Sequence, residues 1–263
     1  MEAGEYSYVR REILNLTGVD LTCYRMQQVQ RRLRTYLARS GHESWSSFFR
    51  ERRVDSDGLR ELKDYLTINV SSFFRDPEKY AYLDSRILPE LVGDGARLRV
   101  WSAGCSRGQE AYTLAMVLRA GLAGSRTYDI LATDLDRTAL EVARAGGPYD
   151  ENDVANVRPD HLRRYFDCDE AGYWVTEELR HGITFRPGNL LSERFGQGYD
   201  LIVCRNVVIY FTAEVKDWVY RRFHRALRPG GVLFVGGTEI IPSWTGIGFE
   251  SAGISFYRRE AAG

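Results

Sequence analysis

Apolar residues recur at helical spacing over the first part of the chain. Val9, Ile13 and Leu16 share one face of a helix, and three further groups of this kind follow before residue 67. They are Val29, Leu33, Tyr36 and Leu37; Trp45, Phe48 and Phe49; and Leu59, Leu62, Tyr65 and Leu66. Because no strand-like run interrupts them, the pattern predicts an all-helical N-terminal domain over about residues 1–85.

The pattern changes at ILPELVGDGARLRV, where a proline and two glycines precede an apolar run. We place the domain boundary at about residues 80–95, which leaves about residues 86–263 as a second domain. In that domain, short apolar runs alternate with helical patterns, which predicts an α/β fold with a parallel sheet. The predicted strands begin at Leu98, Tyr128, Asp200, Gly231 and Gly253.

One stretch breaks this alternation. Tyr173 to Thr176 and Ile183 to Pro187 are short strand-like pieces. We expect them to form a small antiparallel β-subdomain, inserted at about residues 165–190. The final run, Gly253 to Arg258, would form a hairpin-like edge with the strand before it.

The stretch RLRVWSAGCSRGQEAYTLAM, residues 97–116, predicts a strand, a turn of small residues and a helix. In an open α/β sheet such a turn lies where ligands bind, and Gly104 would let a nucleotide-like ligand approach the backbone. The turn contains neither G-x-G-x-x-G nor a P-loop, which disfavours NAD and ATP. Glu110 at the helix start suits a cationic ligand, although it could simply complement the helix dipole.

Polar residues also follow two other predicted strands. Asp134 is placed to accept hydrogen bonds from ribose hydroxyls, with a plain helix cap as the alternative, whereas Asp136 is the better candidate for the N-cap of the next helix. Arg205 and Asn206 follow the strand DLIVC and precede another apolar run, a pattern that favours a functional site over a surface turn.

A third group of polar residues lies near the predicted domain junction. Asn69, Ser71 and Arg75 stand beside Phe73 and Phe74 in LTINVSSFFR. This mixture indicates a second part of the site, although Arg75 could also simply lie over the two rings.

Composition narrows the class of protein. The 263 residues are 44% hydrophobic, and 36 basic residues balance 36 acidic ones, so a general nucleic-acid or membrane-surface protein is disfavoured. The four cysteines show no metal-ligand spacing, and we expect no metal. No long apolar run and no export signal are evident, so we expect a cytoplasmic protein without membrane insertion.

An arginine-rich segment extends from residue 21 to residue 42. It holds five arginines and no acidic residue, namely Arg25, Arg31, Arg32, Arg34 and Arg39. An ordinary solvated face is the simpler interpretation, but the lack of any compensating acid favours docking on an acidic partner helix.

Six motifs resemble, in order and separation, the CheR family of chemotaxis receptor methyltransferases. They are LTINVSSFFRDPEKY, RVWSAGCSRGQEAYTLAM, ATDLD, GNLL, CRNVVIYF and LRPGGVLFVGGTE. The resemblance implies an N-terminal helical domain on a Rossmann-like body with a β-subdomain. It also implies S-adenosylmethionine as methyl donor, S-adenosylhomocysteine as product, and methylation of glutamate side chains on the cytoplasmic part of chemoreceptors.

Carried over to this sequence, the resemblance implies roles for particular residues. Glu110 would lie near the methionine ammonium, Asp134 would hold the ribose, and Asn189 and Leu190 would flank the adenine. The remaining cofactor contacts would be Asn69, Ser71, Arg75, Arg205 and Asn206. Arg75 and Tyr210 would stand beside the transferring methyl group, and the arginine-rich helix would face the receptor.

The sequence departs from the family pattern in three places. Ala111 replaces a usual proline, which is dispensable in a first helical turn, and Ser71 replaces a frequent threonine but keeps the hydroxyl. The loop DCDEAGYW is short, so we expect no tethering to a receptor's C-terminal pentapeptide. We expect a monomer. Two alternatives stay open: a CheR-like methyltransferase with another signalling protein as acceptor, and a module that binds the methyl donor or its product without turnover.

Overall fold

The computed structural model describes residues 1–52, 56–67, 71–92, 97–122, 127–242 and 246–260. The chain divides into two compact units, described separately below. The first comprises Met1–Asn69 and Tyr210–Lys216, and the second comprises Val70–Ile209 and Asp217–Gly263.

The first unit is all-helical, as the sequence predicts. Its helices are α1 Ala3–Thr17, α2 Met26–Arg39, α3 Trp45–Arg52 and α4 Ser56–Thr67, with a 3₁₀ turn at Leu21–Cys23. Their predicted apolar faces form its core, in which Ile13, Leu33 and Leu62 are fully buried. The segment 210–216 joins this unit through backbone hydrogen bonds, from Arg25 N–H to the Tyr210 carbonyl (2.9 Å) and from Thr212 N–H to the Cys23 carbonyl (3.0 Å).

The second unit is built on a seven-stranded sheet. The strands described in this unit are β1 Leu98–Ala103, β2 Tyr128–Asp134, β3 Phe166–Asp169, β4 Gly172–Val175, β5 Ile183–Pro187, β6 Tyr199–Cys204, β7 Leu227–Val235, β8 Phe249–Gly253 and β9 Phe256–Arg259. The sheet order is β5-β2-β1-β6-β7-β9-β8, and β3 and β4 form a separate antiparallel hairpin. Pairing is parallel from β5 to β7, and β9 runs antiparallel to both β7 and β8.

Helices connect these strands and cover the sheet. They are α5 Pro77–Tyr82, a π-helical turn Leu83–Ile87, α6 Leu88–Leu91, α7 Gln109–Gly121, α8 Arg137–Ala145, α9 Glu151–Val154, α10 Pro159–Tyr165, α11 Glu177–Arg180, a 3₁₀ turn Val208–Tyr210 and α12 Ala213–Ala226. The apolar positions of α7 are buried, since Ala111, Leu114, Ala115 and Leu118 pack in the main core. The predicted α/β class is therefore confirmed.

One expectation about the second unit was wrong, and one strand was not predicted. Ile183–Pro187 does not belong to the inserted hairpin but is β5, which pairs in parallel with β2 from Ile130↔Ile183 to Asp134↔Pro187. The hairpin instead pairs β3 with β4, from Phe166↔Val175 to Asp169↔Gly172. The edge strand β8 was not predicted, because its sequence FESAG lacks an apolar run.

The first unit ends earlier than the boundary expected at about residues 80–95. Phe73, Tyr80, Leu83 and Leu88 are buried in the core that contains the sheet, so this helical stretch packs with the second unit. Periodicity alone shows that a segment is helical but not which core it joins. In the described ranges, no helix has both the length and the apolar character needed to cross a bilayer.

Candidate active site

The carboxyl ends of β1, β2, β5 and β6 lead into most of the predicted site residues, namely Gly104, Glu110, Asp134, Asn189, Leu190, Arg205 and Asn206. The strand order reverses between β1 and β6, since the chain proceeds from β1 through β2 to β5 on one side and from β6 to β7 on the other. Ligands of open α/β sheets bind at this kind of switch point.

The turn after β1 depends on Gly104. Its φ is +86°, and a Cβ atom there would lie 2.5 Å from Cγ2 of Val207. Its N–H and that of Cys105 both donate to the Thr133 carbonyl, at 2.8 and 3.0 Å. The glycine therefore permits both the left-handed turn and the close approach of the loop after β6.

Asp134, at the end of β2, holds this turn in place. Its Oδ2 accepts from Ser106 N–H (2.7 Å) and its Oδ1 accepts from Asp136 N–H (2.9 Å). Burial raises the pKa of the Asp134 carboxyl, while these backbone N–H groups oppose the rise. Asp136 accepts from Ala139 N–H (2.9 Å) and is the N-cap of α8, which confirms its predicted capping role.

Glu110, in the first turn of α7, is only 9% exposed. Its Oε1 accepts a hydrogen bond from Ser102 Oγ (2.8 Å). Burial raises its pKa to about 7, while the positive charges of Arg205 and Arg75 act in the opposite direction. That rise in pKa means that the folded chain destabilises the ionised carboxylate by about 3 kcal/mol, whereas a favourable helix-dipole interaction contributes only about 0.3–1 kcal/mol. The dipole alone therefore does not account for a carboxyl group at this position.

Arg205, directly after β6, is the most enclosed cation of the site, with its side chain 2% exposed. Its Nη1 donates to Tyr80 Oη (3.1 Å), and its Nη2 donates to Asp76 Oδ2 (2.6 Å) and to the Arg75 carbonyl (2.9 Å). Its guanidinium also lies 4.7 Å from the ring centroid of Phe234. Arg205 thus fastens the backbone at Arg75 and Asp76 to the sheet.

Asn206 adopts a left-handed backbone conformation, with φ +60°. Its N–H donates to Glu239 Oε2 (2.9 Å), which also accepts from Gly236 N–H at the end of β7 (2.6 Å). The side-chain Oδ1 of Asn206 is buried and has no hydrogen-bond partner within the described ranges. Glu239 was not predicted as a site residue; the only signal was its position after the two glycines of GGTE.

The segment that carries Arg75 belongs to the second unit. Phe73 is fully buried, its N–H donates to the Asp153 carbonyl (2.9 Å), and Phe74 N–H donates to Thr113 Oγ1 (3.1 Å). Ser71 and Arg75 are half-buried. Asn69 lies outside the described residues.

Asn189 and Leu190 lie in the loop after β5. This loop begins in space beside the carboxyl end of β2, because Pro187 pairs with Asp134. Gly188 N–H donates to the Asp134 carbonyl (2.9 Å), so the loop starts beside the predicted ribose-binding acid. Asn189 Oδ1 accepts from Leu191 N–H (2.9 Å), a side-chain turn.

Tyr210 belongs to the first unit, where it ends the 3₁₀ turn Val208–Tyr210 and is half-buried.

The predicted docking arginines differ from one another. Arg25, Arg31, Arg34 and Arg39 are exposed. Arg32 is not: its guanidinium lies 4.6 Å from the Tyr65 ring centroid, it donates to the Tyr65 carbonyl, and burial lowers its pKa. Arg32 therefore packs within the helical unit.

A seven-stranded sheet in this order, with an acid at the end of β2 and a small-residue turn after β1, defines the Rossmann-like fold of the S-adenosylmethionine-dependent methyltransferases. The chain belongs to the CheR methyltransferase family: residues 69–253 match the S-adenosylmethionine-binding domain of that family and residues 4–67 its all-alpha domain.

Relatives from several bacteria share most of this chain. It is 38% identical over 254 residues to a chemotaxis protein methyltransferase of Listeria innocua, covering 96% of each chain. It is 37% identical over 241 residues to chemotaxis protein methyltransferase 1 of Pseudomonas aeruginosa, covering 85% of each. A third relative, chemotaxis protein methyltransferase Cher2 of Pseudomonas putida, is 39% identical over 195 residues and 70% of each chain.

Proposed function

We propose that this protein transfers a methyl group from S-adenosylmethionine to glutamate side chains on the cytoplasmic part of chemoreceptors, forming γ-glutamyl methyl esters. The observation that carries the proposal is the buried Glu110 carboxyl beside the Arg75 and Arg205 charges, at the switch point of a methyltransferase sheet. The names of the relatives support chemotaxis proteins as acceptors.

The polar groups of the second unit fit the methyl donor. S-adenosylmethionine carries an ammonium group and ribose hydroxyls, which are hydrogen-bond donors, and it supplies an activated methyl group when bound. Three groups are acceptors for such donors: Glu110, Asp134 and the buried Oδ1 of Asn206, which has no partner among the described residues. Glu110 would take the ammonium and Asp134 the ribose, while Asn189 and Leu190 would flank the adenine.

The acceptor carboxylate needs no general base. A glutamate with an ordinary pKa of about 4.3 is already ionised near neutral pH, so the reaction consists of in-line displacement. The task of the protein is then to align the two reactants and exclude water. Arg75 would hold the carboxylate by a two-pronged hydrogen bond, and Tyr210 would offer an aromatic face to the positively charged sulfur.

Arg205 is proposed to act through Arg75. Both of its terminal nitrogens are engaged with Tyr80, Asp76 and the Arg75 carbonyl, which suits a role in positioning Arg75 better than direct contact with the methyl donor.

Receptor docking is proposed for the exposed arginines of the first unit, namely Arg25, Arg31, Arg34 and Arg39. Arg32 would instead support the helix that presents them, because it is packed on Tyr65. Surface charges of this kind mainly affect association rate and salt dependence.

Docking is further proposed to be independent of the receptor's C-terminal pentapeptide. The turn between β3 and β4 is tight, and Asp169 Oδ1 accepts from Ala171 N–H (2.9 Å), Gly172 N–H (3.2 Å) and Trp174 Nε1 (3.0 Å). This compact turn has no extended glycine-rich loop with which to accommodate a tail.

The test is transfer of radiolabelled methyl from S-adenosylmethionine to chemoreceptor cytoplasmic fragments, with and without their C-terminal tails. Label on both fragments that is released as methanol in base supports a glutamyl ester and tail-independent docking. Label only on the tailed fragment refutes the docking proposal. Cofactor binding without label on either fragment refutes the chemoreceptor proposal and favours another acceptor or a binding module without turnover.

A further inference from the structure

The loop after β5, residues 188–195, folds mainly around Asn189. Its carbonyl accepts from Ser192 N–H (3.1 Å) and Glu193 N–H (2.9 Å), and its side chain accepts from Leu191 N–H. These bonds fix the internal shape of the loop. They do not fix its position against the rest of the second unit.

Arg222, on α12, spans the loop from outside. Its Nη1 donates to the Leu190 carbonyl (2.8 Å), and its Nη2 donates to the Glu193 carbonyl. The guanidinium lies 3.8 Å from the ring centroid of Phe195 and 4.3 Å from that of Trp218, between two aromatic side chains. A planar guanidinium group that stacks on aromatic rings and donates two hydrogen bonds has one preferred orientation. A lysine ammonium group cannot reproduce this geometry.

Other contacts also hold the loop, but each is less suited to placing Leu190. At the far end of the loop, Phe195 packs against Trp101 and Phe223, with ring centroids 4.6 and 5.3 Å apart, and so fixes a position well beyond Leu190. The ion pair between Glu193 and Arg186 (2.8 Å) joins side chains that are 32% and 52% exposed, and pairs of this kind contribute at most about 1 kcal/mol. The bond from Gly188 N–H to the Asp134 carbonyl anchors only the start of the loop. The Arg222 bond reaches Leu190 itself and connects it to a helix that packs on the sheet through the buried Phe223.

We propose that Arg222 is a positioning residue that sets Asn189 and Leu190 at the distance needed to read the purine base of the ligand. The inference rests on the proposed function, in which these two residues flank adenine. Adenine donates a hydrogen bond from its amino group, whereas hypoxanthine has an accepting oxygen at the same position. If the loop is held in place, binding of the wrong base leaves a buried polar group of the site without a hydrogen-bond partner, which lowers the affinity. If the loop is free to shift, it can adapt to either base, and the preference is lost.

The test measures binding by calorimetry on the full chain with three probes. S-adenosylhomocysteine carries adenine, S-inosylhomocysteine carries hypoxanthine, and S-ribosylhomocysteine carries no base. The variants are Arg222→Met, Arg222→Lys and the control Arg221→Met, whose arginine pairs with Asp217 on the helix surface (2.7 Å).

We expect Arg222→Met to weaken S-adenosylhomocysteine binding about tenfold or more and to reduce the preference for adenine over hypoxanthine by a similar factor. Binding of S-ribosylhomocysteine should not change, because it carries no base for Asn189 and Leu190 to contact. For both the affinity and the preference for adenine, Arg222→Lys should lie between Arg222→Met and the unmodified protein. Arg221→Met should match the unmodified protein in both.

The outcomes separate the inference from the function on which it rests. If the unmodified protein prefers adenine and both Arg222 variants keep that preference, the inference is overturned. Equal weakening for all three probes also overturns it, because the role would then be general stability. If the unmodified protein binds none of the probes, the proposed function fails before any variant is compared. Should Arg222→Met not fold, Arg222→Lys answers the same question, since it retains charge and most of the side-chain length.

Discussion

Replacing Glu110 with glutamine should make the ligand-free protein more stable while weakening its function. Burial raises the pKa of Glu110 from 4.5 to about 7. Since each pKa unit corresponds to about 1.4 kcal/mol, ionised Glu110 lowers the free energy of unfolding by about 3 kcal/mol. Glutamine stays neutral like the protonated acid, and its side-chain oxygen can still accept the hydrogen bond from Ser102.

The pH dependence follows from the direction of this shift. At low pH, Glu110 is protonated in both the folded and the unfolded chain and contributes no difference. Between about pH 4.5 and pH 7 the unfolded chain releases the proton while the folded chain keeps it, so the free energy of unfolding falls as the pH rises. Above about pH 7 both forms are ionised and the loss stays at its full value of about 3 kcal/mol.

Urea unfolding of ligand-free protein, followed by circular dichroism from about pH 5 to pH 8.5, measures this difference. The free energy of unfolding of Glu110→Gln should exceed that of the unmodified protein by less than about 1 kcal/mol near pH 5 and by about 3 kcal/mol near pH 8.5. Glu141→Gln is the matched control, because Glu141 is an exposed glutamate of α8. The free energy of unfolding of this variant should follow the same pH dependence as that of the unmodified protein.

The same variant should bind S-adenosylhomocysteine more weakly, because the ammonium group loses its carboxylate partner. For the unmodified protein, the affinity should rise with pH up to about pH 7 and then level off, and this dependence should be absent in Glu110→Gln. Parallel stability curves for Glu110→Gln and the unmodified protein, or a glutamine variant that is less stable at pH 8.5, would refute the reasoning.

Three further substitutions test other contacts. Gly104→Ala should lower the free energy of unfolding by about 1–3 kcal/mol, because the new Cβ meets Val207 at a positive φ, and Val207→Ala should restore part of this in urea unfolding. Arg75→Ala should reduce methyl transfer by about a hundredfold or more while product binding, measured by calorimetry, falls much less; normal activity would exclude Arg75 from catalysis. Arg32→Ala should lower the melting temperature by several degrees, as expected for about 1 kcal/mol, whereas the exposed control Arg34→Ala should not, and equal melting temperatures would contradict the packing role of Arg32.

The sequence was informative where local pattern and chemistry coincide. The strand, turn and helix around Gly104 were predictable because the apolar period changes within twenty residues and the turn requires small side chains. Asp136 was predictable as a cap for the same local reason. The strand Ile183–Pro187 was assigned to the wrong sheet, because its five residues do not encode which strand they will pair with.

The residues that hold the site together left little local signal. Glu239 contacts Asn206 across 33 positions, and Arg222 contacts Leu190 across 32. Such pairs depend on the tertiary arrangement of strand ends, which a single sequence does not display. Asn189 and Leu190 read as an ordinary turn, and only the resemblance to a known family singled them out.

The anchoring of Arg75 by Arg205 connects residues that are synthesised at widely separated times. Arg205 contacts Tyr80, the Arg75 carbonyl and Asp76 across 125, 130 and 129 positions. During synthesis, residues 75 and 76 leave the ribosome long before the residue that secures them, so a nascent chain ending before β6 holds Glu110 and Asp134 but lacks the anchor of Arg75. We therefore expect the geometry proposed for Arg75 only in chains extended well past residue 205, and we expect chains terminated before that point to lack methyl transfer that depends on Arg75.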